Sequence, residues 1–429
     1  MKKFVEKMLA QQAKKLLKKK KPFIIGVTGS VGKSTTKKAV GTLLGHDFKV
    51  RWSPGNYNTE FGVPLAILGL ETAGKSPMGW LANLVRGWWR STFPDEIYPD
   101  TLVLEMAADH KGDIAKLVAI AKPDIGIVTA IGESHAEKFG SVDEITREKA
   151  TLIEALGKDG VAVLNRDDER VWGMREKTKA RVVSYGFHDE ADVRALSDTV
   201  LHTCWAEKAC GTGFKLTANG TTMPISVPGT FGTPSIYAVL ASFAVGKERG
   251  MNMVRMSETL RSFVPPPGRL RYLPGIKKTL LVDDTYNSAP KSAMVALHIL
   301  KELPLQAADD RRFAVLGDMF ELGSMSVEGH RAVGRKAAEL GIDYLILVGE
   351  RVSDTEKAAL KAGMSEDRVM HFSTNHDAGR FVQEKMKRGD VVLVKGSRAM
   401  KMEHVVKELM AEPLYAAELL CGEHEEWRI

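Results

Sequence analysis

The run Ile24-Ile25-Gly26-Val27-Thr28-Gly29-Ser30-Val31-Gly32-Lys33-Ser34-Thr35-Thr36 sets a buried-strand pattern, a glycine turn and a helix start one after another. Together these make a cradle for phosphates. Glycines let backbone N–H groups approach phosphate oxygens, Lys33 reaches the terminal phosphates, and Ser34 offers its hydroxyl to Mg²⁺ at a helix N-terminus. Gly29, Ser30, Gly32, Lys33, Ser34 and Thr35 are therefore the expected contacts of a nucleoside triphosphate. The common G-x-x-x-x-G-K-[ST] spacing fails by one, because Val27 occupies the first glycine's place and Gly26 lies one residue earlier.

Two more chemically able residues close apolar runs. Leu102-Val103-Leu104-Glu105-Met106 ends on a carboxylate, and Thr129-Ala130-Ile131-Gly132-Glu133-Ser134-His135 leads to an imidazole. In a parallel sheet the strand C-termini share one edge, where ligands bind. Glu105, His135 and the phosphate loop are thus expected to converge on Mg²⁺ and nucleotide. Each residue alone has a plainer reading, a structural hydrogen-bonding histidine and a solvated glutamate.

Positioning these residues requires an α/β fold. From residue 22 to about 264, strand-like runs at 23–27, 101–105, 125–130 and 161–164 alternate with helical patterns, which predicts a mostly parallel sheet with helices on both faces. Pro265-Pro266-Pro267-Gly268 can continue neither helix nor sheet and marks a domain boundary. A second α/β series follows, with strands predicted at 279–282, 312–316, 344–348 and 391–394 in a Rossmann-like rhythm without G-x-G-x-x-G. The expected divisions are a basic amphipathic helix (1–21), a central ATP-binding domain (22–267), a Rossmann-like domain (268–411) and a tail (412–429).

The 429 residues, 44% hydrophobic and 27% charged, suit a soluble globular chain of two or three domains and exclude disorder on a large scale. Cys204, Cys210 and Cys421 make neither a disulfide framework nor a paired zinc motif. The net charge of +7 is local: nine lysines against Glu6 in residues 1–21 give +8, and the remainder sums to −1. No apolar run reaches membrane-spanning length, and residues 1–21 lack the apolar core of a secretory signal, so a cytoplasmic location is expected. Phe4, Val5, Met8, Leu9, Ala13, Leu16 and Leu17 form a helical stripe among those lysines. This helix either packs on the following domain or lies on anionic lipid at the inner face of the membrane. The segment Trp80–Arg90, with three of the seven tryptophans, has a similar pair of readings: buried packing, or a substrate platform or membrane-interface contact.

Further motifs arrive in a specific order: Gly55-Asn56-Tyr57-Asn58-Thr59-Glu60-Phe61-Gly62-Val63-Pro64, then Glu105-Met106, then Ser134-His135-Ala136-Glu137-Lys138-Phe139-Gly140, then Asp283-Asp284-Thr285-Tyr286-Asn287. Val315 to Gly323 and Val394 to Met400 extend the set. On these motifs the chain resembles the Mur ligase family, MurF type, over residues 22–404. The resemblance implies an ATP-dependent ligase that phosphorylates a substrate carboxylate and lets an amine displace the phosphate to give an amide, in peptidoglycan synthesis. It further implies Mg²⁺ on Ser34 and Glu105, a second ion near His135, Arg269 near the transferred phosphoryl group and Asn58 positioning the acyl phosphate. Lys149 falls where the family carries a carbamylated lysine, Asn165 lies in a nucleotide-side loop, and Asp284 would accept ribose hydroxyls while Asp283 is structural. Lys395, Ser397 and Arg398 read equally as anion contacts or as structural residues.

Three departures qualify the match. Thr151 replaces an acidic residue two positions after Lys149, and Pro234-Ser235-Ile236-Tyr237-Ala238 stands where the family carries adenine-binding amides. The phosphate loop also starts after only 25 residues, where the family has a UDP-binding domain first, so the UDP-linked substrate does not carry over with the ATP chemistry. The resemblance leaves two rivals: a Mur-type ligase for a polypeptide or cofactor acid, and a nucleotide-responsive binding protein without catalysis. A monomer without nucleic acid is expected.

Overall fold

The computed structural model describes residues 2–55, 57–93, 96–132, 139–205 and 208–422. The first sheet has nine strands: β1 (Phe23–Thr28), β2 (Val50–Trp52), β3 (Thr101–Glu105), β4 (Ile125–Val128), β5 (Val161–Asn165), β6 (Arg181–Gly186), β7 (Val193–Trp205), β8 (Lys208–Ala218) and β9 (Thr221–Pro228). Their order is β2-β3-β1-β4-β5-β6-β7-β8-β9. Pairing is parallel from β2 to β7 and antiparallel across β7, β8 and β9.

Side chains alternate across a strand, and both faces of this sheet are covered, which is why the strands read as continuous apolar runs. Ile25, Val27, Val103, Ile127 and Val163 face a core shared with α2 (Lys33–Leu44) and the helix Thr233–Glu248. Ile24, Leu102, Leu104, Val128 and Leu164 face the opposite core. That second face is roofed by α1 (Lys2–Lys20), α3 (Gly62–Leu68), α5 (Asp113–Ile120) and the helix Val142–Glu154, while α4 (Pro77–Thr92) lies against α1.

The N-terminal helix takes the packing alternative. Val5, Leu9, Ala13 and Leu16 are buried, and Gln12 donates from Nε2 to Leu84 O at 3.0 Å. A membrane contact made by this helix's own apolar stripe is therefore corrected: the stripe is inside the fold, and only Phe4 of it is largely exposed. The Trp80–Arg90 segment divides. Trp80 packs its ring edge-on to Phe61, whereas Trp88 and Trp89 face solvent. Among the described residues no helix is long and apolar enough to cross a membrane.

The second sheet contains β10 (Arg271–Pro274), β11 (Leu280–Asp284), β12 (Arg312–Gly317), β13 (Tyr344–Val348), β14 (Val369–Phe372) and β15 (Val391–Lys395). The order is β10-β11-β15-β12-β13-β14, parallel apart from the β10 edge. Residues 412–422 do not form the expected tail. Ala416 and Leu420 are buried in this domain's core, and Arg271 Nη1 donates to Leu419 O at 3.0 Å.

Candidate active site

The phosphate loop leaves β1 and enters α2, and its shape is fixed by the neighbouring strand end. Ser30 N donates to Ala130 O at 2.7 Å, and Thr129 Oγ1 donates to Val31 O at 2.5 Å. Gly29 adopts a φ of 143°, and a Cβ there would overlap Thr129 Oγ1. Only glycine fits both the dihedral and the approach. Lys33 opens α2 and donates to Gly29 O at 2.8 Å and Ser30 O at 3.3 Å, so its ammonium closes the loop from inside. Ser34 and Thr35 stand in the first turn of α2. Burial lowers the Lys33 pKa, and Arg269 adds to the effect against the raising influence of Glu105.

Glu105 ends β3, opposite Val27 of β1 in the register, and therefore lies beside the loop. Its Oε1 accepts from Asn58 Nδ2 at 3.0 Å, and its Oε2 lies 3.1 Å from Lys37 Nζ. Oε2 accepts no well-aligned hydrogen bond from a described residue despite that charge contact. Burial by itself would raise this carboxyl's pKa, but Lys37, Lys33 and the Asn58 hydrogen bond overcome it and hold it at about 2. The carboxylate is thus ionised at neutral pH, with acceptor capacity to spare. A hard oxygen donor of this kind beside a serine hydroxyl fits Mg²⁺, which takes few protein ligands and completes its shell with phosphates and water.

Lys149 is buried on the helix Val142–Glu154. Glu148 next to it accepts from Gly112 N and Ile114 N, both at 2.7 Å, and so fastens this helix to the start of α5. Burial first, then the charge of Lys33, pulls the Lys149 pKa down to about 7. An ordinary lysine is almost wholly protonated at neutral pH; this one has a substantial fraction of free amine, the form that reacts with CO₂.

Arg269 follows the proline turn and stacks over Tyr286, 3.8 Å from the ring centroid. It presents the second domain's cation to the loop of the first. The structure thereby brings together Lys33, Asn58, Glu105, Lys149 and Arg269. His135 lies outside the described residues. Asn165 is close, but it works as a brace: its Nδ2 donates to Thr129 O at 2.9 Å and its Oδ1 accepts from Asp167 N at 3.0 Å. Asp284 is also engaged, with Oδ2 2.5 Å from Lys395 Nζ and Oδ1 accepting from Leu270 N at 3.2 Å. Asp283 accepts from Gly268 N and from Thr285 N and Oγ1, the structural role expected of it. Ser397 and Arg398 have structural partners in Phe320 N and Glu403.

Sequence reasoning missed Lys37, whose signal was its position four residues after Lys33, one turn along the same helix. It also missed Tyr237, whose hydroxyl donates to Asp167 Oδ2 at 2.9 Å and whose ring meets Tyr185 and Phe187. An aromatic group thus stands where adenine-binding amides were expected.

Known proteins carry the same framework. The Mur ligase middle domain matches residues 94–246, and the family described as "Mur ligase, glutamate ligase domain" matches residues 268–398. The UDP-N-acetylmuramoyl-tripeptide–D-alanyl-D-alanine ligase of Bacillus subtilis is 28% identical over 409 residues, covering 95% of this chain and 80% of its own. The ligase of that name from Synechocystis is 30% identical over 390 residues, covering 91% and 75%. The crystal structure of MurF ligase from Thermotoga maritima in complex with ADP superposes with a TM-score of 0.75 at 27% identity, covering 94% of this chain and 83% of the other.

Proposed function

This chain belongs to the Mur ligase family, an ATP-dependent amide-bond-forming ligase, and from that premise we propose which groups carry the reaction and on what substrates. The amine is that of a D-alanyl-D-alanine dipeptide and the carboxylate is the end of a muramoyl tripeptide, the pair in the names of its relatives. A substrate carboxylate oxygen attacks the γ-phosphorus of ATP and ADP leaves. The amine then attacks the acyl carbon, loses a proton, and inorganic phosphate departs with its bonding pair.

Negative charge gathers at each step, and this chain's cations are placed to meet it. Lys33 would turn from its loop carbonyls to the β- and γ-phosphates, and Arg269 would contact the phosphoryl group in flight. Asn58 would hold Glu105 in register and orient the acyl phosphate. Ser34 and Glu105 would hold Mg²⁺, with His135 and a carbamylated Lys149 serving a second ion; bound there, the metals neutralise phosphate charge and align the reacting oxygens. The Lys149 amine carries this reading, because its neutral fraction near pH 7 is what a carbamate needs. Asn165 and Asp284 would serve the nucleoside side, each through the hydrogen-bonding capacity its present partners leave. The chain acts as a monomer in the cytoplasm, with a peripheral contact to the inner face of the membrane.

The test is ADP release with UDP-muramoyl tripeptide and D-alanyl-D-alanine, with the product mass measured. Coupled ADP release and an amide product are expected. ADP release supported only by another acid would move the chain to the non-peptidoglycan ligases, and no ligation with any acid or amine would leave a binding protein.

A further inference from the structure

Helix α4 is built inside out. Met78, Leu81, Val85, Trp88, Trp89 and Phe93 recur at three- and four-residue steps and are all exposed, Trp88 at 52% and Trp89 at 59%. Its fully buried positions are small and polar, Asn83, Gly87 and Ser91, and only Trp80 and Leu84 of its large apolar residues pack half-buried against the core. Gly87 lets the helix come down onto α1, since a Cβ there would overlap Gln12 Oε1. A helix that only roofs a domain turns its apolar stripe inward. Here the aromatic groups gather outside, with ring centroids 6.4 Å apart for Trp88 and Trp89 and 4.8 Å for Trp89 and Phe93.

The charge on this cluster's own helix and on its α1 flank is almost all positive, the exposed Glu96 lying just beyond the end of α4. α4 contains no acidic residue, and Arg86 is exposed beside the stripe. From α1, Lys15 Nζ donates to Thr92 Oγ1 at 3.0 Å and Lys19 Nζ donates to Thr92 O at 2.8 Å, which sets both ammonium groups next to Phe93. Glu6 is the single acid in that helix. A second copy docked on this face would bring like charges together. An anionic surface with an apolar interior meets both features at once: indole rings settle at head-group depth and cations pair with lipid phosphates.

We propose that α4 is the docking face for an anionic lipid bilayer, lying in the plane of the interface with α1 as its cationic flank. This rests on the reading of a membrane-contacting enzyme and moves the contact from the apolar stripe of α1 to α4. The intact chain should sediment at low salt with vesicles of equal parts phosphatidylglycerol and phosphatidylcholine, dissociate as salt rises, and bind weakly to phosphatidylcholine alone. Brominated lipid should quench its tryptophan fluorescence. Trp88→Ser/Trp89→Ser should lower partitioning at least about tenfold and remove the quenching, with ADP release unchanged.

Lys15→Gln/Lys19→Gln should weaken binding to the anionic vesicles alone. Absence of binding by the intact chain at low salt, or undiminished binding by the tryptophan variant, would overturn the proposal. So would a concentration-dependent dimer that the tryptophan variant abolishes without any vesicle binding, which would assign the face to a second copy. Because vesicle binding needs no substrate, the ligase reading fails separately: a chain that turns over ATP yet ignores vesicles loses only this inference.

Discussion

Glu105 sits between two ammonium groups, and removing its charge would strand one of them. Lys37 is buried and has Glu105 as its ion partner, so Glu105→Gln should cost about 3 kcal/mol or more in stability, measured by urea denaturation. Glu105→Gln/Lys37→Met should recover much of that stability and none of the activity. The sign of the pH effect follows from the lowered carboxyl value: the pair's contribution is complete above the ordinary value of 4.5 and is lost as pH falls toward about 2. Lys149 behaves oppositely. Its folded value of about 7 lies below the ordinary 10.5, so the unfolded chain binds more protons between these limits and wild-type stability rises with pH across them. Lys149→Met in CO₂-free buffer should therefore gain on the wild type as pH falls from about 10 to about 7. Lys149→Ala should be nearly inactive, with ADP release partly restored by acetate; restoration by amines and not by carboxylates would remove the carbamate. These pairings were half legible. Glu105 stood out because an apolar strand ended on a charge, but Lys37 looked like any surface lysine: its place one turn after Lys33 was a cue, and only the packing of α2 on the sheet turns its side chain toward Glu105.

At the scale of elements, the phosphate loop depends on β4 as much as on its own glycines. Gly29→Ala must change an unfavourable φ and push Thr129 aside, and Ala130 N and O then stand only 3.2 Å from the new Cβ. ATP affinity should fall at least about tenfold, read by titration calorimetry, and Thr129→Gly should restore little of it because the dihedral strain remains. The parallel strands were readable because both of their faces are buried, so they stand out as unbroken apolar runs. The antiparallel β7 to β9 extension was not foreseen. Its strands have one wet face, as the mixed burial of β9 shows, and their apolar signal is diluted. One cue was present: Asn219-Gly220, both at positive φ, forms the two-residue turn that joins β8 to β9. Helix α4 kept two readings in the sequence for a different reason. Periodicity reports that a helix has an apolar face, not which way the face points.

For the whole molecule, the two domains meet where Arg269, at the start of the second, feels the charge of Lys33 in the first. Arg269→Ala should lower turnover by about a hundredfold with little change in thermal stability, since Arg269 is only half-buried and the contact it would lose over Tyr286 is a single cation–π pair. Lys33→Ala should abolish ligation and weaken ATP binding together.

The returning C-terminal segment gives this junction a natural clock. Cys421 is 1% exposed, its Sγ lies 3.3 Å from Thr285 Oγ1, and burial first, then the carboxylates of Asp283 and Glu403, push its thiol up to about 12. A thiol so protected can be alkylated only through forms in which the segment has lifted away. In a variant with Cys204 and Cys210 changed to serine, the rate of maleimide labelling at this one sulfur measures how often the second domain loosens its hold. ATP analogues should slow that clock, and a rate indifferent to nucleotide would mean that the segment breathes on its own account.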